Sequence, residues 1–231
     1  MDRTFTNACS LCVEFNGGRT ESLPGCEARV SACGPWAVIP SLGPVCSAHV
    51  LLVPFEHRTG AVHTTTQART IETAIAVWSQ RFPSFVVFEH ANAATGCGIT
   101  HAHVHFVNVQ AEARAAFREA ASPSPLLSLS LLSDDRRELF WSVDSLGNAF
   151  VDTSGPFRSQ FARRAIAKLG GVEFSTDWKA YTHEAWYRSS ASAARTFAVD
   201  LRQALGFAEQ PHDAMGNEAE ARRSVNLAAI R

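Results

Sequence analysis

Short apolar runs flank one long segment of helical spacing in the first 110 residues. The runs at residues 35–39, 48–54 and 85–90 are rich in β-branched and aromatic residues, with Gly, Pro or Ser close to their ends. This composition predicts three strands. Residues 64–82 instead predict a helix, since a threonine run offers N-caps, a proline follows the end, and apolar residues recur three or four positions apart. Those apolar residues are Ile71, Ala74, Ile75 and Trp78.

The composition changes at the stretch SPSPLLSLSLL, residues 122–132. Clustered Ser and Pro residues are typical of a connection, which predicts a boundary here. We expect a first domain at residues 1–121 and a C-terminal extension at residues 122–208. Residues 209–231 are polar and weakly patterned, and we expect a tail.

Further elements are predicted near and beyond this boundary. A helix is expected at residues 111–121. The runs RELFWSV and NAFVD, joined through DSLG, predict a hairpin. The segment SQFARRAIAKLGG predicts a helix with Ser159 at its start and a glycine pair at its end, and SAARTFAVDLRQALG predicts another. Trp78 is expected in the core, Arg163 and Arg164 on a solvated helix face, and His183 at the surface.

The segment GITHAHVHFVNV, residues 98–109, has a histidine at every second position. In a strand, His101, His103 and His105 project to one face, roughly 6 to 7 Å apart along the chain, and the apolar residues between them project to the other. The flanking sequence FVNV also favours a strand. One face of this strand is therefore predicted to be a row of imidazoles.

Three chemical roles suit such a row. Imidazoles bind metals, transfer protons as general acids or bases, or attack electrophiles directly. Histidines that are merely hydrogen-bonded are the alternative, which three on one face make less favourable. The preceding loop, ATGCGIT, offers backbone N–H groups and the hydroxyls of Thr95 and Thr100 to an anion, which favours phosphate. An ordinary strand connection is the other interpretation of this loop.

Charge and cysteine content narrow the class of protein. The 21 Lys and Arg residues nearly balance the 22 Asp and Glu residues, and the formal net charge is −1. No nucleic-acid partner is therefore expected. The sequence contains no apolar stretch typical of a signal peptide or a membrane span, so we expect a cytoplasmic protein with no membrane partner. Its six cysteines are then expected to be thiols or metal ligands.

Three stretches resemble the histidine triad superfamily. The family signature is three histidines that alternate with apolar residues. The sequence HAHVHFV, residues 101–107, matches it at every position. CSLC, residues 9–12, looks like the Cys-x-x-Cys opening of zinc-containing members. SAHVLLVPFEH looks like the Gly-His-x-Leu-Val-x-Pro-x-x-His strand, with Ala48 where Gly is usual. The resemblance covers about residues 5–110, and SQFARRAIA with DWKAY is similar to a bacterial subgroup with a C-terminal extension.

This resemblance implies a fold and an activity. The fold is α+β, an antiparallel sheet of about five strands with a packed long helix, here followed by a C-terminal α/β extension, and a homodimer is expected. The activity is nucleotidyl hydrolysis or transfer on a nucleotide substrate. His103 would attack the α-phosphorus and form a covalent nucleotidyl-histidine, while His105 would donate to a phosphate oxygen. The expected phosphate-binding residues are His90, Gly96, Gly98 and Thr100.

The same resemblance implies a structural zinc site. Its ligands would be Cys9, Cys12, His57 and His101, a common tetrahedral set. Three alternatives stay open: Cys26 or Cys33 replaces a histidine, the Cys-x-x-Cys pair is redox-active, or no metal binds.

Several functional alternatives also stay open. The acceptor can be water, phosphate or a sugar phosphate, so a phosphorylase or a specialised biosynthetic transferase would use the same intermediate. A non-enzymatic nucleotide-binding module is a different class, and a catalytic ion chelated by all three triad histidines is another. Dinucleoside polyphosphate hydrolases often carry Gln before the triad, where this chain has Cys97, which we expect to be a small buried thiol. The sequence therefore leaves both dinucleotides and nucleotide sugars as candidate substrates.

Overall fold

Alternating apolar residues build an antiparallel sheet that runs through both halves of the chain. The computed structural model describes residues 9–15, 31–92, 100–110, 124–132, 137–154, 157, 160–169 and 184–207. Within these residues the strands are β1 Ser31–Cys33, β2 Trp36–Pro40, β3 His49–Pro54, β4 Phe85–Ala91, β5 Val104–Asn108, β6 Ser124–Pro125, β7 Leu139–Asp144 and β8 Ala149–Asp152. Their spatial order is β1-β2-β3-β5-β4-β7-β8-β6, and all neighbours are antiparallel.

Helices lie on both faces of this sheet. They are α1 Ser10–Phe15, α2 Thr65–Ser79, α3 Phe161–Leu169 and α4 Glu184–Ala204, with a short 3-10 helix at Leu129–Leu132. The mixture of helices and antiparallel strands confirms the α+β class. Among the described residues, no helix is both long enough and apolar enough to cross a membrane.

Most of the predicted elements are present. The three early strands and the long helix are found with ends shifted by a few residues, and Thr64 caps α2 by accepting the N–H of Gln67. The hairpin is formed by β7 and β8, where the Asp144 side chain accepts the N–H groups of Leu146 and Asn148. The predicted helix at residues 111–121, the start at Ser159 and the tail lie outside the described residues.

The larger core fills the face of the sheet covered by α2 and α4. Trp78 of α2 is fully buried, as expected, with its ring centroid 5.7 Å from Phe106 of β5 and 5.2 Å from Phe197 of α4. Ala102 and Val104 belong to the same cluster. The apolar residues that alternate with the triad histidines therefore point into this core, and burial of each large one contributes roughly 1.5 to 3 kcal/mol.

The opposite face is covered in two places by α1 and α3. Cys12 and Phe15 of α1 pack in a cluster with residues of β2 and β3. Ala162 and Ile166 of α3 pack in another cluster, with Phe88 of β4 among its members. The triad histidines alternate with the core residues of β5, so they belong to this face.

The sheet is continuous across the predicted boundary. Strand β7 pairs with β4 along six residues, from Val86↔Asp144 to Ala91↔Leu139. Five of the eight described strands come from the first 110 residues and three from the C-terminal half, so the sheet is wider than the five strands expected. The division into two domains at residue 121 stays a prediction.

Candidate active site and metal centre

Four predicted metal ligands converge beside α1. Cys9 and Cys12 lie at and just inside the start of this helix, His57 follows β3, and His101 lies just before β5. The Nδ1 atom of His101 is 3.5 Å from the Cys9 Sγ and 3.4 Å from the Cys12 Sγ, and the Nδ1 atom of His57 is 3.1 Å from the Cys12 Sγ. One ligand atom from each of the four residues lies within 4.8 Å of the other three. These residues can hold a metal ion.

The surroundings of His101 fit a metal ligand. Its Nε2 lies 2.7 Å from the carbonyl oxygen of Pro54, which can only accept a hydrogen bond. The ring proton is therefore on Nε2, and the lone pair of Nδ1 faces the two thiols, as a ligand bond requires. Burial lowers the pKa of His101 to about 4, which favours the neutral ring. Burial also raises the pKa of the Cys9 thiol, because the thiolate is the charged form.

The structure does not support Cys33 as a metal ligand, and it does not describe Cys26. Cys33 is buried in the core against α2 and α4, and it does not belong to the cluster of metal-ligating side chains found among the described residues. Cys26 lies outside those residues, as do Cys97 and His183. His101 uses both ring nitrogens away from the other triad histidines, so the geometry does not favour one ion held by all three.

His103 has one nitrogen fixed by its own backbone. Its Nδ1 lies 2.7 Å from the carbonyl oxygen of His101, so Nδ1 donates and Nε2 carries the lone pair. Burial lowers the pKa of His103, the charges of Arg163 and His90 lower it further, and the hydrogen bond to His101 partly opposes them. The ring is therefore held neutral, in the tautomer whose Nε2 is nucleophilic.

A buried histidine pair fixes the orientation of His105. His49, the first residue of β3, accepts the backbone N–H of Val45 at its Nδ1 over 3.3 Å. Its Nε2 then carries the proton and donates to the Nδ1 of His105 over 2.8 Å. His105 must keep its own proton on Nε2. Burial holds the pKa of both rings well below the usual range, so each has a single proton to place.

His105 is also packed within a set of rings. Its imidazole stacks on Phe88 at a centroid distance of 4.4 Å and an angle of 10°. The rings of His103 and His105 are 4.8 Å apart, closer than the spacing along the strand. His49 was absent from the predicted site, although it lies within the matched SAHVLLVPFEH motif. That motif was the available signal, and its first histidine was overlooked.

Helix α3 brings a cation to the same face. Arg163 was expected on a solvated surface, but it is partly buried and donates to the carbonyl oxygen of Gly43 and to the Gln160 side chain. Its charge contributes to the lowered pKa of His49, His103 and His105, after burial in each case. A guanidinium beside neutral imidazoles keeps them neutral and attracts anions.

The four residues predicted to bind phosphate are not gathered into one described cluster. His90 of β4 pairs with Glu138 at 2.7 Å between Nε2 and Oε1. Thr100 is exposed immediately before His101. Gly96 and Gly98 lie outside the described residues. Neither a protein-family model nor a curated protein matches this chain.

Proposed function

We propose that this chain is a histidine-triad enzyme that hydrolyses or transfers a nucleotidyl group through a covalent intermediate on His103. The bond cleaved is a phosphoanhydride or phosphoester at the α-phosphorus of a nucleotide. The observation that carries the proposal is the 2.7 Å hydrogen bond from His103 Nδ1 to the carbonyl of His101. It leaves Nε2 as a nucleophile beside a second imidazole, His105, whose proton is also on Nε2.

The reaction needs two displacements at phosphorus. In the first, the lone pair of His103 Nε2 forms a P–N bond, and the P–O bond to the leaving group breaks with its electron pair. In the second, water or another acceptor attacks, the P–N bond breaks, and neutral His103 returns. The N–H of His105 is available to a phosphate oxygen on which charge develops, and Arg163 adds a positive charge nearby.

The metal in this proposal is a structural zinc ion. Zinc binds well to two thiolates and two imidazoles, and a bound ion would link α1 to the residues before β5. The side chain of His101 then belongs to the metal cluster, while its carbonyl oxygen positions His103. An ion that fixes the side chain of His101 would therefore also fix the carbonyl oxygen that orients the nucleophile His103.

Intact-protein mass spectrometry tests the covalent step. The wild-type chain and His103→Ala are incubated briefly with dinucleotides and nucleotide sugars and then quenched at alkaline pH, where a phosphoramidate survives. The expected result is a mass gain of one nucleotide in the wild type only, which mild acid removes. Released products are measured in parallel, because fast turnover can empty the intermediate.

The outcomes separate the functional classes. Product formed equally by His103→Ala would refute the nucleophile. Nucleotide binding without adduct or product would favour the non-enzymatic module. Addition of inorganic phosphate distinguishes a phosphorylase from a hydrolase, since the released nucleotide then gains one phosphate instead of one water.

A further inference from the structure

A hydrogen bond from the C-terminal helix reaches the backbone of the strand that carries His49. The Oγ atom of Ser190, in α4, accepts the backbone N–H of His49 over 3.0 Å, and both residues are fully buried. Helix α4 packs in the larger core, whereas the imidazole of His49 bonds to His105 among the triad histidines on the opposite face. His49 is therefore held by hydrogen bonds from both sides of the sheet. The chemistry proposed above leaves the bond to Ser190 without a role.

The position of His49 in the sheet makes this bond important. His49 is the first residue of β3, and residues 41–48 before it form neither helix nor strand. The carbonyl of His49 accepts the N–H of Ser41 over 2.9 Å. In a regular antiparallel pair, the carbonyl of Ser41 would accept the N–H of His49 in return. Here that N–H goes to Ser190, so a side chain of α4 takes the place of a backbone acceptor at the start of the strand.

The same residue orients a group of the proposed active site. The Nε2–H of His49 donates to the Nδ1 of His105 over 2.8 Å, and this bond depends on both distance and angle. Burial excludes water as a replacement for the Ser190 hydroxyl, and a buried N–H that loses its acceptor is unfavourable. Without Ser190, the start of β3 would move towards another acceptor. The imidazole of His49 would move with its own backbone, and the bond to His105 would lengthen or bend.

We propose that Ser190 is a positioning residue of the reaction, acting through His49 on His105, an inference that rests on the proposed function. Ser190 fixes the backbone of His49, and the side chain of His49 fixes the ring of His105. The Nε2–H of His105 is then directed at the phosphate oxygen on which charge develops. No proton moves along this series, because each member only orients the next. The C-terminal half thus contributes to catalysis by holding a hydrogen-bond donor in place.

Nuclear magnetic resonance of the full-length chain tests the geometric step. In a ¹⁵N-labelled protein, the scalar coupling across an N–H···N hydrogen bond falls steeply as the two nitrogens separate. We expect this coupling between His49 Nε2 and His105 Nδ1 in the wild type, and its loss in Ser190→Ala. The matched control is Leu201→Ala, also fully buried on α4 but about 16 Å further along the helix. It weakens the packing of α4 and should leave the coupling in place.

Steady-state kinetics test the catalytic step with the dinucleotide or nucleotide sugar that the wild type cleaves. We expect Ser190→Ala to lower kcat by about 10-fold or more, because a misplaced donor no longer stabilises the transition state. KM should change by less than about 2-fold, since substrate binding before the chemical step is retained. Leu201→Ala, compared below the unfolding temperature of both variants, should keep a kcat close to that of the wild type.

Each other result decides against the assignment. A coupling that persists in Ser190→Ala would show that α4 does not position His49. Loss of the coupling with unchanged kcat would show that the reaction does not need this orientation of His105. Equal losses of kcat in Ser190→Ala and Leu201→Ala would reduce Ser190 to a stabilising contact. A wild type that yields neither adduct nor product would overturn the proposed function, and the catalytic role of Ser190 with it, while the coupling would still report the geometry.

Discussion

A buried carboxylate on the face of β4 opposite the triad histidines leads to a prediction that does not depend on the proposed activity. Glu89 is 1% exposed, and its oxygens accept the N–H of Ala61 over 2.7 Å and the indole N–H of Trp141 over 2.9 Å. Burial raises its pKa from 4.5 to about 7, although both hydrogen bonds and the charge of Arg58 lower it. The cost of burial therefore exceeds the benefit of these donors.

The size of the effect follows from the two pKa values. Above its ordinary pKa of 4.5, the unfolded chain has lost the Glu89 proton, while the folded chain keeps it up to about pH 7. The folded state then binds more protons, so this group makes stability fall as pH rises through that window. At about 1.36 kcal/mol per pH unit, the total loss is about 3 kcal/mol.

Denaturant unfolding of the wild type and Glu89→Gln across this window measures that contribution. The amide does not titrate, and its NH2 group faces one of the two N–H donors at a cost that is independent of pH. We expect the stability of the variant relative to the wild type to improve by about 3 kcal/mol from pH 4 to pH 8. Because the buried histidines titrate in both proteins, their contributions cancel in the difference between the two unfolding free energies. Glu72→Gln, on the exposed side of α2, is the control.

A relative stability that changes by less than about 1 kcal/mol across the window would refute the reasoning. It would mean that the two N–H donors and Arg58 fully offset the cost of burial. A change of the opposite sign would mean that the carboxylate is favoured in the folded protein.

Three further predictions concern the site. Cys12→Ser should lower the bound zinc, measured by a colorimetric chelator, from about one equivalent to well below half, because a thiolate ligand is lost, whereas Cys33→Ser should leave it unchanged. His49→Leu should destabilise folding by about 2 to 4 kcal/mol, because it leaves the Val45 N–H and the His105 Nδ1 buried and unpaired. His49→Gln can still donate to His105, so thermal unfolding should show a smaller loss of stability. Equal losses would contradict the tautomer assignment. Arg163→Met should raise the pKa of His105, followed by NMR titration, without restoring its ordinary value, because burial, the larger cause, remains; an unchanged pKa would show that the guanidinium is too distant to act.

The sequence predicted most accurately the parts where local pattern and burial agree. The alternation around His103 places core residues and site residues on opposite faces, as it does in the structure. The four metal ligands were named from spacing and resemblance, and they converge. The short helix α1 and strands β1 and β6 were missed, because two to six residues are too few to show a period. Helix α4 starts eight residues earlier than predicted, since half of its first eight residues are polar.

The contribution of the C-terminal half could not be predicted from the sequence. Glu138, Phe157 and Arg163 reach the triad face only because β7 pairs with β4 and α3 packs on the same side. Such partners are fixed by pairing between distant segments, and neither periodicity nor motif spacing encodes it. The prediction that Arg163 is solvated was wrong for this reason, because the packing of α3 determines the surroundings of Arg163.

The wide sheet also has a consequence for how the protein is made. Helix α4 covers Phe106 with Phe197, and its Ser190 accepts the backbone N–H of His49 over 3.0 Å. Roughly 75 residues separate β5 from α4, so a ribosome working at about 5 to 20 residues per second needs roughly 4 to 15 s after β5 to reach the start of α4. During that interval the nascent chain holds all three triad histidines, yet the free edge of β4 and the uncovered core invite aggregation. Release of a competent site is therefore expected to be a late event of synthesis, and binding of a chaperone to the emerging first half would fall within this interval.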